Sequence, residues 1–235
     1  MRPNRGDHDG ADLSLIDVTV LYSPPQRHGS VGKNMKSWLI AVGASGADGL
    51  QDICLLLSAL PADLDAVTLI VLHRPSGQQS HLREVLARRS PMPVRIAVAG
   101  QRLLPGIAYI GEPGAHLTIL ETGFPALVVH EDCTHRNRTV DLLFQSVADS
   151  GAPNIIGVIL AGSLDDGSRG LAAIHSANGY TMALEPEDNQ QIGMPENAIC
   201  FDGPVDVIGS VSEIAEGILR LLSIYRPDSN EAMQT

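Results

Sequence analysis

Apolar positions in this chain fall into two alternating kinds of pattern. Val67-Thr68-Leu69-Ile70-Val71-Leu72 and Ile155-Ile156-Gly157-Val158-Ile159-Leu160 are near-continuous aliphatic runs bounded by polar turns, and Trp38 to Gly43 is a third. Such short, β-branched runs predict strands covered on both faces. Between them the spacing changes to three and four. Leu50, Ile53, Cys54 and Leu57 predict a helix over 48–60, and Val140, Leu143, Phe144 and Val147 another over 139–150. Further helices are predicted at about 79–90, 170–177 and 211–222, with a strand over 180–184 and a short helix after Gly193-Met194-Pro195. Strand–helix alternation with buried strands predicts a doubly wound α/β fold: a mainly parallel sheet with helices on both faces. Four short pieces, 94–98, 108–110, 116–120 and 126–129, are punctuated by Pro105-Gly106, Pro113-Gly114 and Gly123-Phe124-Pro125, which predicts a small antiparallel meander.

The ends read differently. Residues 1–36 predict an extension, partly flexible, with strand-forming residues only at 13–22; residues 37–226 form the regular domain and 227–235 a tail. Aromatics make up 3% of the chain against 44% hydrophobic residues, so the core is aliphatic. A net charge of −11 argues against a nucleic-acid backbone or an anionic membrane surface as partner. Arg83, Arg88 and Arg89 read as a solvated helix face. Cys54, Cys133 and Cys200 show neither zinc spacing nor a disulfide framework, and Cys54 among Ile53, Leu55 and Leu56 reads as a buried thiol. No signal-peptide pattern and no apolar run near the ~18 residues of a membrane helix is present, which points to a cytoplasmic, reduced protein.

Candidate chemistry gathers at strand ends. Ser45 stands in the glycine turn Gly43-Ala44-Ser45-Gly46-Ala47-Asp48-Gly49, His73 closes the second buried run, and Asp166 follows the third. In a parallel sheet these ends share one edge, so a hydroxyl nucleophile, an imidazole base and a carboxylate become available together. Each also has a structural reading: Ser45 as a helix cap, His73 as a packing residue, and Asp166 as a cap on the helix that follows it. Dinucleotide binding is the other use of such a turn. GxxGxxG is not the nucleotide fingerprint, however, and His73 occupies the place where a ribose-binding carboxylate is needed. The order Ser, His, Asp and the lack of GxSxG also separate the chain from ordinary α/β-hydrolases.

Six ordered blocks over about residues 37–200 resemble the catalytic domain of the chemotaxis protein-glutamate methylesterases, the CheB family. They are VGASGADGL, VLHRPSG, LLPGIAYIGEPGAHL, VDLLFQSVA, GVILAGSLDDGSRGL and IGMPENAI. The resemblance implies Ser45 as nucleophile, His73 as general base and Asp166, rather than Asp165, as the orienting carboxylate. Backbone N–H groups near Gly46 and in the Ser163–Leu164 loop would hold the oxyanion. It further implies demethylation of glutamate methyl esters, and deamidation of glutamine, on the cytoplasmic domain of methyl-accepting chemotaxis receptors, with no cofactor or metal. The chain departs from the family at Gly46, where a threonine is usual, at Ser163, where a methionine is usual, and at 136–141, where Arg-Asn-Arg-Thr-Val-Asp replaces His-Arg-Pro-Ser-Val-Asp. A receiver domain of ~120 residues does not fit within residues 1–36, which implies a stand-alone enzyme, constitutive or regulated by a separate response-regulator protein. The alternative is a methylesterase-like binding or signalling module with weak or no turnover.

Overall fold

The computed structural model describes residues 37–73, 80–111, 115–128, 138–163, 165–186, 192–201 and 203–224. The extension at 1–36 and the tail at 227–235 therefore lie outside the described residues, as do Cys133, Arg136, Asn137 and Leu164.

Seven strands form one parallel sheet in the order β3-β4-β2-β1-β7-β8-β9. They are β1 (Trp38–Ser45), β2 (Ala66–His73), β3 (Val94–Ile96), β4 (Ile107–Ile110), β7 (Ile155–Ile159), β8 (Tyr180–Leu184) and β9 (Val207–Gly209). Period-two alternation divides each strand between two cores. Trp38, Ile40, Val42 and Ala44 point to one face, where helices α1 (Gly46–Ala59), α2 (Leu82–Ala87) and α6 (Val211–Ile224) cover them. Leu39 and Ala41 point to the other, beneath α3 (Thr139–Asp149), α4 (Ser168–Ser176) and α5 (Met194–Cys200). The fold is doubly wound α/β, with helices on both faces.

The antiparallel part is smaller than the sequence pattern predicts. Among the described residues, β5 (His116–Ile119) and β6 (Pro125–Val128) are the strands that pair antiparallel, as a hairpin whose Leu117 and Ile119 bury against α3. The segments at 94–98 and 108–110 join the main sheet in parallel instead. All four residues of β4 are buried, Ala108 and Ile110 in one core and Tyr109 and Ile107 in the other. A strand apolar on both faces needs cover on both, which a surface hairpin does not supply. Cys54 is partly rather than fully buried, packed at the margin of the α1 core.

Two glycines set the spacing of the α3–α4 layer. A Cβ on Gly43 would collide with Val140 of α3, and one on Gly170 of α4 would stand 2.5 Å from the Phe144 Cβ. Both helices lie closer to the sheet and to each other than a side chain at these positions permits.

Candidate active site

The strand order changes direction at β1. From there the chain runs out through β2 and β4, then returns to lay β7 against the opposite side of β1. Crevices at such switch points, on the carboxyl edge, are where open α/β sheets bind ligands. Ser45 ends β1 at this point and is 7% exposed. Its Oγ accepts the Ser163 N–H at 3.0 Å, and its own N–H donates to the Ala161 carbonyl at 3.0 Å, so the loop after β7 holds it from two sides. Ser45 occupies the N-cap position of α1 but its side chain caps nothing. The capping reading of this serine is thereby excluded, and its side chain leaves the first amides of α1 uncapped.

Gly162 is the residue that makes room. A Cβ there would strike Met194 Sδ and lie 2.8 Å from Ser45 Oγ. Ser163 itself is held by a bridge to Gly193, while the Met194 N–H donates to the Gly162 carbonyl at 2.8 Å. Glu196, on the first turn of α5, accepts the Gly193 N–H at 2.9 Å and locks that turn. Gly46 opens α1 at φ +73°, a left-handed conformation that a β-branched side chain would adopt only with strain. Leu164 lies outside the described residues.

Ser45 and His73 are register partners on adjacent parallel strands. Their Cα atoms are therefore ~4.8 Å apart and their side chains leave the same face of the sheet. His73 is half-buried. No hydrogen bond joins its imidazole to Ser45 or Asp166 among the described residues. Asp166 is 4% exposed and accepts the backbone N–H groups of Val140 (3.0 Å) and Asp141 (2.9 Å), with the Thr139 hydroxyl at 3.4 Å. It therefore caps a helix, but the helix is α3, not the α4 that follows it in sequence. Burial pushes its carboxyl above the ordinary range, and the Asp141 charge adds to this; the two amide bonds and the nearby His73 oppose it.

On the other side of Ser45 a cleft of about 240 Å³ runs along the ends of β7 and β8, lined by Asp48, Asp52, Gly162, Leu184, Glu185 and Glu196 among others. Among the described residues no group of three or more His, Cys, Asp or Glu is arranged to hold a metal ion, and no helix is long and apolar enough to cross a membrane.

The family model described as CheB methylesterase matches residues 40–218, and so covers the sheet, both helical layers and the crevice. The chain belongs to the CheB methylesterase family. A relative from Chromohalobacter salexigens, named protein-glutamate methylesterase/protein-glutamine glutaminase, is 37% identical over 77% of this chain and 51% of its own length. One of the same name from Photorhabdus laumondii is 34% identical over 91% of this chain and 60% of its own. The chain thus spans about half to three-fifths of these relatives. The crystal structure of the Thermotoga maritima CheB methylesterase catalytic domain superposes with a TM-score of 0.70 at 25% identity, covering 80% of this chain and all of that one. Within this CheB fold, the sequence pattern puts Ser45, His73 and Asp166 forward at one edge, and the resemblance adds Ser163. The pattern did not foresee Gly162, Glu196 or the part played by Asp141, although an acidic residue in the first turn of a helix is a legible sign of a helix start.

Proposed function

We propose that this chain is a serine hydrolase that demethylates glutamate methyl esters, and deamidates glutamines, on methyl-accepting chemotaxis receptors. The observation that carries this reading is the Ser163 N–H on Ser45 Oγ at the β1/β7 switch point, with His73 in register beside it. That N–H fills a lone pair of the hydroxyl oxygen and leaves the hydroxyl proton free to turn toward His73. Ser45 Oγ attacks the ester carbonyl carbon as His73 takes its proton. The resulting oxyanion lies within reach of the Ser163 N–H and the first amides of α1. The C–O bond to the methoxy group then breaks, and His73 returns the proton to release methanol. Water repeats the sequence on the acyl-enzyme, freeing the glutamate carboxylate and Ser45. With glutamine the leaving group is ammonia. Asp166 keeps a negative charge beside His73 and favours the imidazolium that forms. No metal or cofactor takes part. The receptor's cytoplasmic domain is the partner, which puts the chain in the cytoplasm.

A binding module on the same fold is the second reading. It draws on the engagement of both Asp166 oxygens with α3, with no hydrogen bond to His73. Release of labelled methanol from methylated receptor membranes separates the two. Under the hydrolase reading Ser45→Ala lowers release by about 10³-fold or more, and Asp166→Ala by about 10²-fold or more. Wild-type protein that captures receptor but releases no methanol would establish the binding module.

A further inference from the structure

We infer that Asp141 is a positioning residue of the hydrolytic site, because it exchanges helix caps with Asp166 and so fixes the carboxylate that faces His73. The inference rests on the hydrolase reading above. Asp141 is the third residue of α3 and is buried at 9% exposure. Its Oδ1 accepts two N–H groups from the start of α4, Gly167 at 3.0 Å and Gly170 at 2.8 Å. Asp166, immediately before α4's cap residue Gly167, accepts in turn the N–H groups of Val140 and Asp141 at the start of α3. One carboxylate lies within α3 and caps α4, and the other lies just before α4 and caps α3. Gly167 has φ +101° and lies against Val140 and Ile159, so the peptide after Asp166 is fixed by Asp141 on one side and by packing on the other.

A cap alone would be served by one carboxylate oxygen. Asp141 Oδ2 is buried without a hydrogen bond, 3.5 Å from Arg138 Nη1. It places a second negative charge beside Asp166. Among the described residues, the titratable and charged groups that face this pair are His73 from β2 and Arg138 just upstream of Asp141. A second carboxylate favours the protonated state of its neighbour, so Asp141 adds to the effect of burial in holding the Asp166 carboxyl above the ordinary range, as well as fixing where it stands.

Two substitutions in the full-length chain test the inference, read as methanol release from labelled receptor membranes beside thermal melting. Asp141→Asn keeps an oxygen for Gly167 and Gly170 and removes the charge. It is expected to melt within about 2 °C of wild type, to shift the acid limb of kcat/KM to lower pH by at least about 0.3, and to lower kcat several-fold with KM unchanged. Asp141→Ala loses the caps as well and is expected to lower kcat by about 10²-fold at unchanged KM. A pH profile and kcat identical to wild type in Asp141→Asn would overturn the inference, as would a loss confined to KM, even if Asp141→Ala fails to fold. Ser45→Ala, run in parallel, isolates the underlying reading. If that variant keeps its activity the hydrolase assignment fails, whereas an inactive Ser45→Ala beside an unaltered Asp141→Asn sinks this inference alone.

Discussion

At the scale of single residues, the site depends on what is missing at Gly162 as much as on what is present at Ser45. A methyl group at 162 would sit 2.8 Å from Ser45 Oγ and 2.9 Å from its backbone nitrogen. Gly162→Ala is therefore expected to displace the proposed nucleophile, Ser45, and lower kcat/KM by about 10²-fold, with melting changed far less than activity. Single-turnover methanol release beside a thermal melt checks this. Asp166 carries a second expectation, in pH. Its folded-state value lies above the ordinary 3.8. Between the two values the folded chain holds a proton that the unfolded chain has lost, so the contribution of Asp166 to stability is largest in acid and declines as pH rises through that window. Asp166→Asn lacks the decline. Relative to wild type, its unfolding free energy should improve as pH rises above the ordinary 3.8; a flat difference would mean that Asp166 ionises as readily folded as unfolded.

At the scale of elements, helix α3 is brought to the site by a glycine it does not contain. Gly43 lies on the β1 face beneath Val140, and any side chain there meets the Val140 methyls. Gly43→Ala is expected to cost about 1–3 kcal/mol in urea unfolding and to reduce activity by lifting the α3 amides from Asp166. Val140→Ala in the same chain should restore part of both, so that the double variant is more stable than the sum of the singles. Strict additivity would show that the helix accommodates the methyl elsewhere. The ends of the helices tell a related story. Helix α6 has a local start, with Ser210 and Glu213 bonding reciprocally across the first turn, a pairing legible as Ser-x-x-Glu. Helices α3 and α4 have none and take their caps from each other, a pairing that no local pattern records.

At the scale of the whole molecule, the two cores share one sheet and are expected to unfold together. Trp38, the single tryptophan, reports the α1–α6 core, while Phe144 is fully buried in the α3–α4 core. Phe144→Ala is expected to cost about 3–5 kcal/mol and to shift the Trp38 fluorescence transition by the same amount as the circular-dichroism transition. Separate transitions would mean that the two faces fold as distinct units.

The amino-acid sequence by itself determined the class of the fold and the sheet edge at which its candidate residues gather. Runs such as 67–72 and 155–160 are apolar on both faces and read as buried parallel strands, so His73 after the first and the loop carrying Asp166 after the second fall on one edge. Six blocks in order also carried the family. Tertiary structure alone decided that 94–96 and 107–110 join the main sheet, because burial on both faces depends on elements distant in the chain. It alone placed the Ser163 N–H on Ser45, made Gly162 a matter of clearance, and turned Asp166 toward α3 rather than α4. Periodicity is a property of neighbours along the chain, whereas these contacts join residues 25 and 118 positions apart. Their geometry exists only once the sheet has brought the strand ends together.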